Sequence, residues 1–236
     1  MVDEQFSRSA ALLGEAAIER LKKARVAVFG IGGVGGYVCE ALARSGVGML
    51  ALFDRDTVSH SNLNRQIIAL HSTIGRPKAE VMRERILDIH PTAIVETHQL
   101  FYTPENADTV DLSRFDFVAD CIDTVSAKIE LICRANAANV PIISAMGAGN
   151  KMDPTRFSVT DLAKTEGCPL ARVMRYTLRK RGIVHLPVVF SPEPPVALQG
   201  DAPQEENRRS SPASVAYVPS VAGLIMAGEI IRRLTE

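Results

Sequence analysis

The chain has 236 residues, which is enough for one large domain with a sizeable core. Hydrophobic residues make up 46% and charged residues 23%, a composition that excludes disordered, collagen-like and coiled-coil proteins. Lys plus Arg and Asp plus Glu number 27 each, so the net charge is zero. A partner held by bulk charge alone is therefore not expected, while a local basic patch stays open.

The cysteines and the apolar segments indicate the cellular setting. The four cysteines are far apart and form no C-x-x-C pair: Cys39, Cys121, Cys133 and Cys168. This spacing predicts no structural zinc and no disulfide framework, and free thiols are typical of a reducing, cytoplasmic environment. The first residues lack the basic and apolar regions of a signal peptide. Residues 215–231 are apolar but contain Pro, Gly and Glu, which favours a buried helix over a membrane span.

Helical and strand patterns alternate along the first 150 residues. Helices are predicted over residues 14–23, 35–45, 77–89 and 126–139, and strands over residues 25–30, 49–54, 94–97, 116–122 and 141–145. Strands separated by helices indicate an α/β fold with a doubly wound, Rossmann-like, mainly parallel sheet.

The pattern changes after this predicted nucleotide-binding core of residues 1–150. Residues 151–236 are expected to form a C-terminal substrate and dimer portion of the same domain, which spans residues 1–236. Strands are predicted at 156–160 and 187–191, around a basic helix at 169–181. The five prolines between residues 192 and 212 predict a mobile loop near residues 192–214.

A glycine-rich loop follows the first predicted strand and opens a helix. Its glycines are Gly30, Gly32, Gly33 and Gly35. Glycines at this spacing permit a tight turn and let backbone N–H groups approach phosphate oxygens. Asp54 ends the second strand, where an acid normally accepts ribose hydroxyls. The pattern predicts an adenine-nucleotide site, although a nicotinamide dehydrogenase would share it, and a turn that serves packing alone is the other interpretation.

Three charged residues favour a triphosphate with a metal ion. Lys78 lies in the first turn of a predicted helix, where a cation opposes the helix dipole unless an anion is beside it. Alone, such a lysine is more often a surface residue, but Arg65 in the preceding polar loop strengthens the phosphate interpretation. Asp123 follows a strand at the edge where doubly wound sheets bind ligands. It is a candidate Mg²⁺ ligand, and the alternative is an N-cap of the next helix.

These motifs together resemble the superfamily of ubiquitin-activating-type adenylating enzymes. The matching pattern is Gly30-x-Gly32-Gly33-x-Gly35, then Asp54-x-Asp56 through Asn62, Arg65 and Gln66, then Pro77-Lys78, then Asp120-x-x-Asp123. The resemblance implies that these residues bind ATP, with Asp54 on ribose, Arg65 and Lys78 on phosphates and Asp123 on Mg²⁺. It also implies a homodimer in which Arg8 reaches the phosphates of the neighbouring subunit.

Departures from the superfamily pattern narrow the resemblance. The molybdopterin and thiamine enzymes carry two C-x-x-C pairs for zinc, which this chain lacks, and residues 192–214 hold no nucleophilic cysteine. Cys168 is expected to be an ordinary structural thiol. The remaining motifs are similar to the tRNA threonylcarbamoyladenosine dehydratase family. They include Asn64-Arg65-Gln66-Ile67, Asp153-Pro154-Thr155-Arg156 and Val218-Pro219-Ser220-Val221-Ala222-Gly223.

The family resemblance implies a reaction. ATP would activate the threonyl carboxylate of N6-threonylcarbamoyladenosine in tRNA, and a tethered group would close a ring with loss of water. Arg65, Lys78, Asp123 and Arg8 are then the candidate catalytic residues. Adenylation of a ubiquitin-like sulfur carrier is the alternative, and a nicotinamide-dependent reductase or a nucleotide sensor is a third. The sequence leaves open whether an acyl-adenylate forms and whether a monovalent cation is needed.

An RNA substrate needs a local cluster of cations. The candidates are Lys151, Arg156, Arg172, Arg175, Arg179, Lys180 and Arg181. Arg172, Arg175 and Arg179 fall on one face of the predicted basic helix, where they could contact the phosphates of an anticodon arm. A solvated helix face is the other interpretation of this cluster.

Overall fold

A single mixed sheet forms the centre of the protein in this computed structural model, which describes residues 3–200 and 212–236. Its strands are β1 (Arg25–Phe29), β2 (Met49–Phe53), β3 (Ile94–His98), β4 (Phe117–Asp120), β5 (Ile142–Ala145), β6 (Ser158–Asp161) and β7 (Pro187–Phe190). The order across the seven-stranded sheet is β3-β2-β1-β4-β5-β7-β6. All neighbours are parallel except β6, which pairs antiparallel with β7. The predicted doubly wound α/β fold is confirmed.

Seven α-helices accompany the sheet in the described ranges. They are α1 (Ser7–Leu13), α2 (Glu15–Lys23), α3 (Gly35–Arg44), α4 (Lys78–Ile89), α5 (Val125–Ala137), α6 (Pro169–Lys180) and α7 (Tyr217–Thr235). The buried side chains of α2, α3, α4 and α7 belong to one hydrophobic cluster, and those of α5 and α6 to another. Because parallel strands join through crossover helices, both faces of the sheet are covered.

The interior strand β2 shows why the strands of this sheet are continuous apolar runs in the sequence. All five of its residues are buried. Leu50 and Leu52 pack into the cluster formed with α2, α3, α4 and α7, whereas Ala51 and Phe53 pack into the cluster formed with α5 and α6. Successive side chains point to opposite faces of a strand, so a strand covered on both faces has apolar residues at every position.

Two helices differ from the sequence expectation. Helix α1 was not predicted, because none of its residues is buried and it therefore has no apolar stripe to detect. The C-terminal helix α7 buries one face, including Val218, Ala222, Met226 and Ile230, while Leu224 is 47% exposed. None of the helices described is long and apolar enough to cross a membrane. Residues 192–200 contain no helix or strand, and the rest of the predicted loop, residues 201–211, lies outside the described residues.

Candidate nucleotide-binding site

The glycine loop between β1 and α3 is packed too closely for side chains. Gly30 has φ +87°, and a Cβ there would lie 2.8 Å from the carbonyl oxygen of Cys121. A Cβ on Gly35 would overlap the carbonyl oxygen of Gly30. Glycine therefore serves packing at both positions, and the tight turn also delivers the N-terminus of α3 to the carboxyl edge of the sheet. Such an N-terminus offers backbone N–H groups to an anion.

Asp54 holds this loop from the end of β2. One carboxylate oxygen, Oδ2, accepts a hydrogen bond from the Ile31 N–H at 2.6 Å, and Oδ1 accepts one from the Asp56 N–H at 2.8 Å. Burial raises the pKa of Asp54, while Lys78 and the two N–H donors oppose that shift. The carboxylate thus joins the glycine loop to the polar loop that follows β2.

Lys78 has an anion beside it, as its position at the start of α4 requires. Its Nζ lies 3.0 Å from Oδ2 of Asp56, and its side chain is 8% exposed against 56% for Asp56. The backbone N–H of Lys78 also donates to the Asp56 carbonyl oxygen at 2.9 Å. Asp56 therefore orients the lysine. A cation in the first turn of a helix is unfavourable unless an anion lies beside it, and here the Asp56 carboxylate is that anion. The position of Lys78 alone therefore does not require a bound phosphate.

The polar loop between β2 and α4 buries Asn62 and Gln66 and leaves Arg65 half-buried. Asn62 is buried, and its Oδ1 accepts from the Ser59 N–H at 3.1 Å, so this side chain shapes the loop. The Nη1 of half-buried Arg65 donates to the Ser61 carbonyl oxygen at 2.8 Å. Gln66 is buried next to Gly32, and in the described part of the chain its Oε1 has no hydrogen-bond partner. A buried acceptor without a donor beside the glycine loop fits a site that a ligand completes.

Asp123 lies past the end of β4 on the same edge of the sheet. The side chain is exposed, and its Oδ1 accepts a hydrogen bond from the Thr124 hydroxyl at 3.3 Å. The N-cap of α5 is Thr124, so Asp123 does not occupy the capping position considered as its alternative role. The described residues contain no group of three or more His, Cys, Asp or Glu arranged for a metal. Mg²⁺ needs only one or two protein carboxylates when phosphates and water supply its remaining ligands.

Helix α6 presents the basic cluster to solvent. Its buried face consists of Ala171, Met174 and Leu178. The exposed cations on and near it are Arg172, Arg179, Lys180 and Arg181, and Arg156 is exposed as well. Tyr176 is 65% exposed, with the Lys180 Nζ 4.3 Å from its ring centroid. An exposed aromatic ring among cations can stack on a nucleic-acid base.

Two of the predicted RNA-binding cations are engaged inside the protein. Lys151 is only 4% exposed, and its Nζ donates to the carbonyl oxygens of Ser191, at 3.3 Å, and Glu193. Burial lowers the pKa of Lys151. Arg175 is half-buried and donates to the Thr165 carbonyl oxygen at 2.7 Å. Lys151 therefore does not present its ammonium group to solvent, as the predicted RNA contact requires. Arg175 joins α6 to the segment that precedes it.

The family comparison agrees with this geometry. The model described as "ThiF family" matches residues 6–236. The chain belongs to the ThiF family. The tRNA threonylcarbamoyladenosine dehydratase of Bacillus subtilis (strain 168) is 44% identical over 241 residues, which cover 98% of this chain and 95% of that relative.

Solved structures place the chain in the same part of the ThiF family. The Escherichia coli tRNA N6-threonylcarbamoyladenosine dehydratase in complex with AMP is 36% identical, with a TM-score of 0.89 over 98% of this chain and 94% of that one. The complex of that enzyme with ATP gives 35% identity, a TM-score of 0.86 and coverage of 98% and 93%. The family resemblance inferred from the motifs is confirmed.

Sequence reasoning missed two buried polar residues at the end of β4. Lys128 and Ser144 both contact Asp120 at the end of β4, and all three are fully buried. A signal for Lys128 exists in the sequence, because it lies among Ala127, Leu131 and Ile132 on the buried face of α5. A lysine on an apolar face predicts a buried partner, but the sequence alone does not identify that partner.

The predicted roles of Arg8 and Cys168 stay predictions. Arg8 is exposed on α1, where a neighbouring subunit could meet it. Cys168 is 5% exposed, and its Sγ lies 3.6 Å from the position a Cβ would take on Gly147. This burial agrees with a structural thiol.

Proposed function

We propose that the protein is an ATP-dependent tRNA threonylcarbamoyladenosine dehydratase. The observation that carries the proposal is similarity over nearly the whole chain to enzymes of that name, including one whose structures hold ATP and AMP. The reaction activates the threonyl carboxylate of N6-threonylcarbamoyladenosine and closes the modification into its cyclic form. The carboxylate oxygen that is lost leaves bonded to phosphorus, so the overall change to the nucleoside is the loss of one water.

The nucleotide would lie along the carboxyl edge of the sheet. The N-terminus of α3 and its glycine loop receive phosphate oxygens, and Asp54 accepts the ribose hydroxyls. Arg65 and Lys78 neutralise charge that builds on the phosphates. Asp123 would hold Mg²⁺, which would supply further positive charge to offset the charge on the phosphates. In this arrangement Asp56 orients the Lys78 ammonium, which it already contacts.

Ring closure needs no cysteine nucleophile. Burial raises the pKa of the Cys39 and Cys121 thiols, so neither forms a reactive thiolate readily. A group within the same modification is already tethered to the activated carbonyl, and effective molarities of roughly 10⁵ M or more are available to tethered groups. These features favour cyclisation over sulfur-carrier adenylation with a thioester relay.

The tRNA would dock on α6. Arg172, Arg179 and Lys180 offer phosphate contacts, and Tyr176 offers a ring for an unstacked base. Recognition through a few local contacts is compatible with a net charge of zero. We place the enzyme in the cytoplasm, with its tRNA substrate.

We further propose a homodimer in which Arg8 contacts the phosphates bound by the neighbouring subunit. Arg8 lies on α1, where Leu12 is 86% and Leu13 42% exposed. These two exposed leucines give α1 apolar surface that a neighbouring subunit could cover. A twofold dimer would bury the same patch on both subunits.

Nucleoside mass spectrometry tests the proposed reaction. Threonylcarbamoylated tRNA is incubated with the protein, ATP and Mg²⁺, with and without K⁺, and then digested. We expect the modified adenosine to lose one water in an ATP-dependent manner, with Lys78→Ala as the inactive control. An unchanged nucleoside in the presence of bound ATP would contradict the proposal and favour a carrier-protein substrate.

A further inference from the structure

A buried ion pair lies directly behind Asp123. Asp120 is the last residue of β4 and Lys128 is on the first turns of α5, and both side chains are 0% exposed. Their charged atoms, Oδ2 and Nζ, are 2.9 Å apart. The hydroxyl of Ser144 on β5 donates to the same Oδ2 at 2.6 Å. Three elements thus meet at one carboxylate.

Both charged groups also hold the backbone of Ile122, the residue that precedes Asp123. Asp120 Oδ1 accepts a hydrogen bond from the Ile122 N–H at 3.2 Å, and Lys128 Nζ donates to the Ile122 carbonyl oxygen at 3.0 Å. The backbone of Ile122 is therefore fixed at its donor and at its acceptor. Because Asp123 follows immediately, these hydrogen bonds fix the backbone position from which its side chain extends.

The same turn forms the back of the glycine loop. The Cys121 N–H donates to the Phe29 carbonyl oxygen at 2.8 Å, and the Cys121 carbonyl oxygen is the atom that a Cβ on Gly30 would approach to 2.8 Å. A shift of residues 121–123 would therefore change the distance between Asp123 and the phosphate-binding loop.

Stability alone does not account for a charged pair at this place. Desolvating two charges costs free energy that their attraction often fails to recover, and a well-packed apolar pair serves a core equally well. What the charged pair adds here is hydrogen bonding to both backbone polar groups of one residue, Ile122. The arrangement of those bonds points to a geometric role next to the site.

We propose that Asp120, Lys128 and Ser144 position Asp123 for Mg²⁺–ATP, with Lys128 as a positioning residue that acts through the Ile122 peptide. The inference rests on the proposed function, in which Asp123 holds the metal. Losing the two hydrogen bonds to the Ile122 backbone would let Asp123 move relative to the glycine loop. Displacements of about 1 Å can lower reaction rates by about 10²-fold.

The test measures how strongly Mg²⁺ and ATP assist each other. Titration calorimetry gives the Kd of ATP with Mg²⁺ and with EDTA, and the ratio of the two is the coupling between metal and nucleotide. In the double variant Asp120→Asn/Lys128→Met, which removes both charges together, we expect this ratio to fall about tenfold toward that of Asp123→Asn. The Kd measured in EDTA should change by less than about threefold.

A matched control removes another buried carboxylate and its partner. Glu40 on α3 is 7% exposed and pairs with Arg85 on α4, at a distance of 2.6 Å between Oε2 and Nε. Glu40→Gln/Arg85→Met should leave the coupling ratio unchanged. A merely structural role for Asp120 and Lys128 predicts that ATP binding weakens equally with Mg²⁺ and with EDTA.

Ser144→Ala provides a second, milder variant for the same measurement if the double variant does not fold. It removes one hydrogen bond to Asp120 and no charge, so we expect a fall of about threefold in the coupling ratio. An unchanged ratio in a folded double variant or in Ser144→Ala overturns the inference. Wild-type behaviour of Asp123→Asn also overturns it, whereas the proposed function stands or falls separately with tRNA dehydration by the wild-type protein.

Discussion

At the scale of single residues, steric room and burial decide what each side chain can do. The glycines of the loop after β1 are needed because carbonyl oxygens occupy the space that a Cβ would take. For Lys78 and Lys151, the neighbouring groups rather than steric room decide the role. Both lysines are buried, and each ammonium group is available only for the partners around it. Lys78 pairs with Asp56 at the candidate phosphate site, whereas Lys151 is bonded to carbonyl oxygens.

Gly35→Ala should abolish nucleotide binding. The added methyl group would overlap the Gly30 carbonyl oxygen, so the loop must open and the N-terminus of α3 must shift. We expect the affinity for ATP, measured by calorimetry, to fall by at least about 100-fold, in line with the steep cost of small displacements.

Gly228→Ala is the matched control for that substitution. A Cβ at Gly228 meets nothing within 4 Å, and the residue lies inside helix α7. Alanine should leave ATP binding unchanged and raise the free energy of unfolding by about 0.5–1 kcal/mol. Equal ATP affinities in the Gly35→Ala and Gly228→Ala proteins would contradict the steric argument.

Glycine spacing and the acid after β2 are local signals, which is why the sequence predicts the tight turn after β1 correctly. Phosphate binding by this loop stays a prediction. The partners of buried lysines are not local. Ser191 and Glu193, which accept from Lys151, lie about forty positions further along the chain. Sequence reasoning consequently placed Lys151 on a surface and overlooked Lys128.

At the scale of elements, the contact between α3 and α4 is pinned by one acid. Glu40 accepts hydrogen bonds from Arg85 at 2.6 and 3.0 Å and from Arg44 at 2.8 Å. Burial acts to raise the pKa of Glu40, but the two arginines outweigh it and hold the pKa below its usual value. The stabilisation is therefore present above the unfolded-state pKa of about 4.3 and is lost as the pH falls through the folded-state pKa.

Glu40→Gln should lower the free energy of unfolding by about 1–2 kcal/mol at pH 7, a value between those of exposed and buried pairs. Urea titrations at pH 7 and at pH 3 give the difference in the free energy of unfolding between wild type and variant. We expect that difference to shrink at the lower pH, because pH 3 lies below the unfolded-state pKa, where the stabilisation declines as the pH falls toward the lowered folded-state pKa. A difference of the same size at both values would exclude the ion pair as its source.

The exposed face of α6 should control the affinity for tRNA. Arg172→Glu/Arg179→Glu reverses two exposed cations, so we expect weaker tRNA binding and a shallower dependence on salt, with ATP binding retained. Filter binding at several salt concentrations measures this slope.

Lys23→Glu/Arg83→Glu provides the control for the α6 variant. Both residues are exposed on α2 and α4, which cover the opposite face of the sheet, and the change in net charge is the same. A similar loss of tRNA affinity in this control would show that total charge, rather than the α6 face, governs binding.

Secondary structure was predictable wherever an element buries an apolar stripe. The bounds of β1, β2, α3 and α5 agree with the sequence patterns to within about two residues, which is the usual uncertainty at element ends. Helix α1 could not be found in this way, because none of its residues is buried and only Ala10 packs against the core.

At the scale of the whole molecule, the proposed dimer predicts complementation between inactive variants. If Arg8 acts on the neighbouring site, each active site contains Lys78 of one subunit and Arg8 of the other. Arg8→Ala and Lys78→Ala then remove residues that different subunits supply to the same site. Co-expressed subunits would form mixed dimers with one intact site each, and roughly a quarter of all sites would be functional in a random mixture. Dehydratase activity of the mixture measures this.

Activity from each variant alone should be near zero. If the mixture is as inactive as the separate proteins, although mixed dimers are shown by affinity tags, Arg8 does not act across the interface.

The packing of α7 against the glycine loop has a consequence for synthesis on the ribosome. A Cβ on Gly33 would lie 3.3 Å from Pro219, and a Cβ on Gly223 would overlap the Val34 carbonyl oxygen, so the phosphate loop and α7 fit each other closely. At roughly 5–20 residues per second, α7 is translated tens of seconds after the loop that it supports. A nascent chain therefore lacks one wall of its nucleotide site until α7 has left the exit tunnel, and products that stop before α7 should not bind ATP.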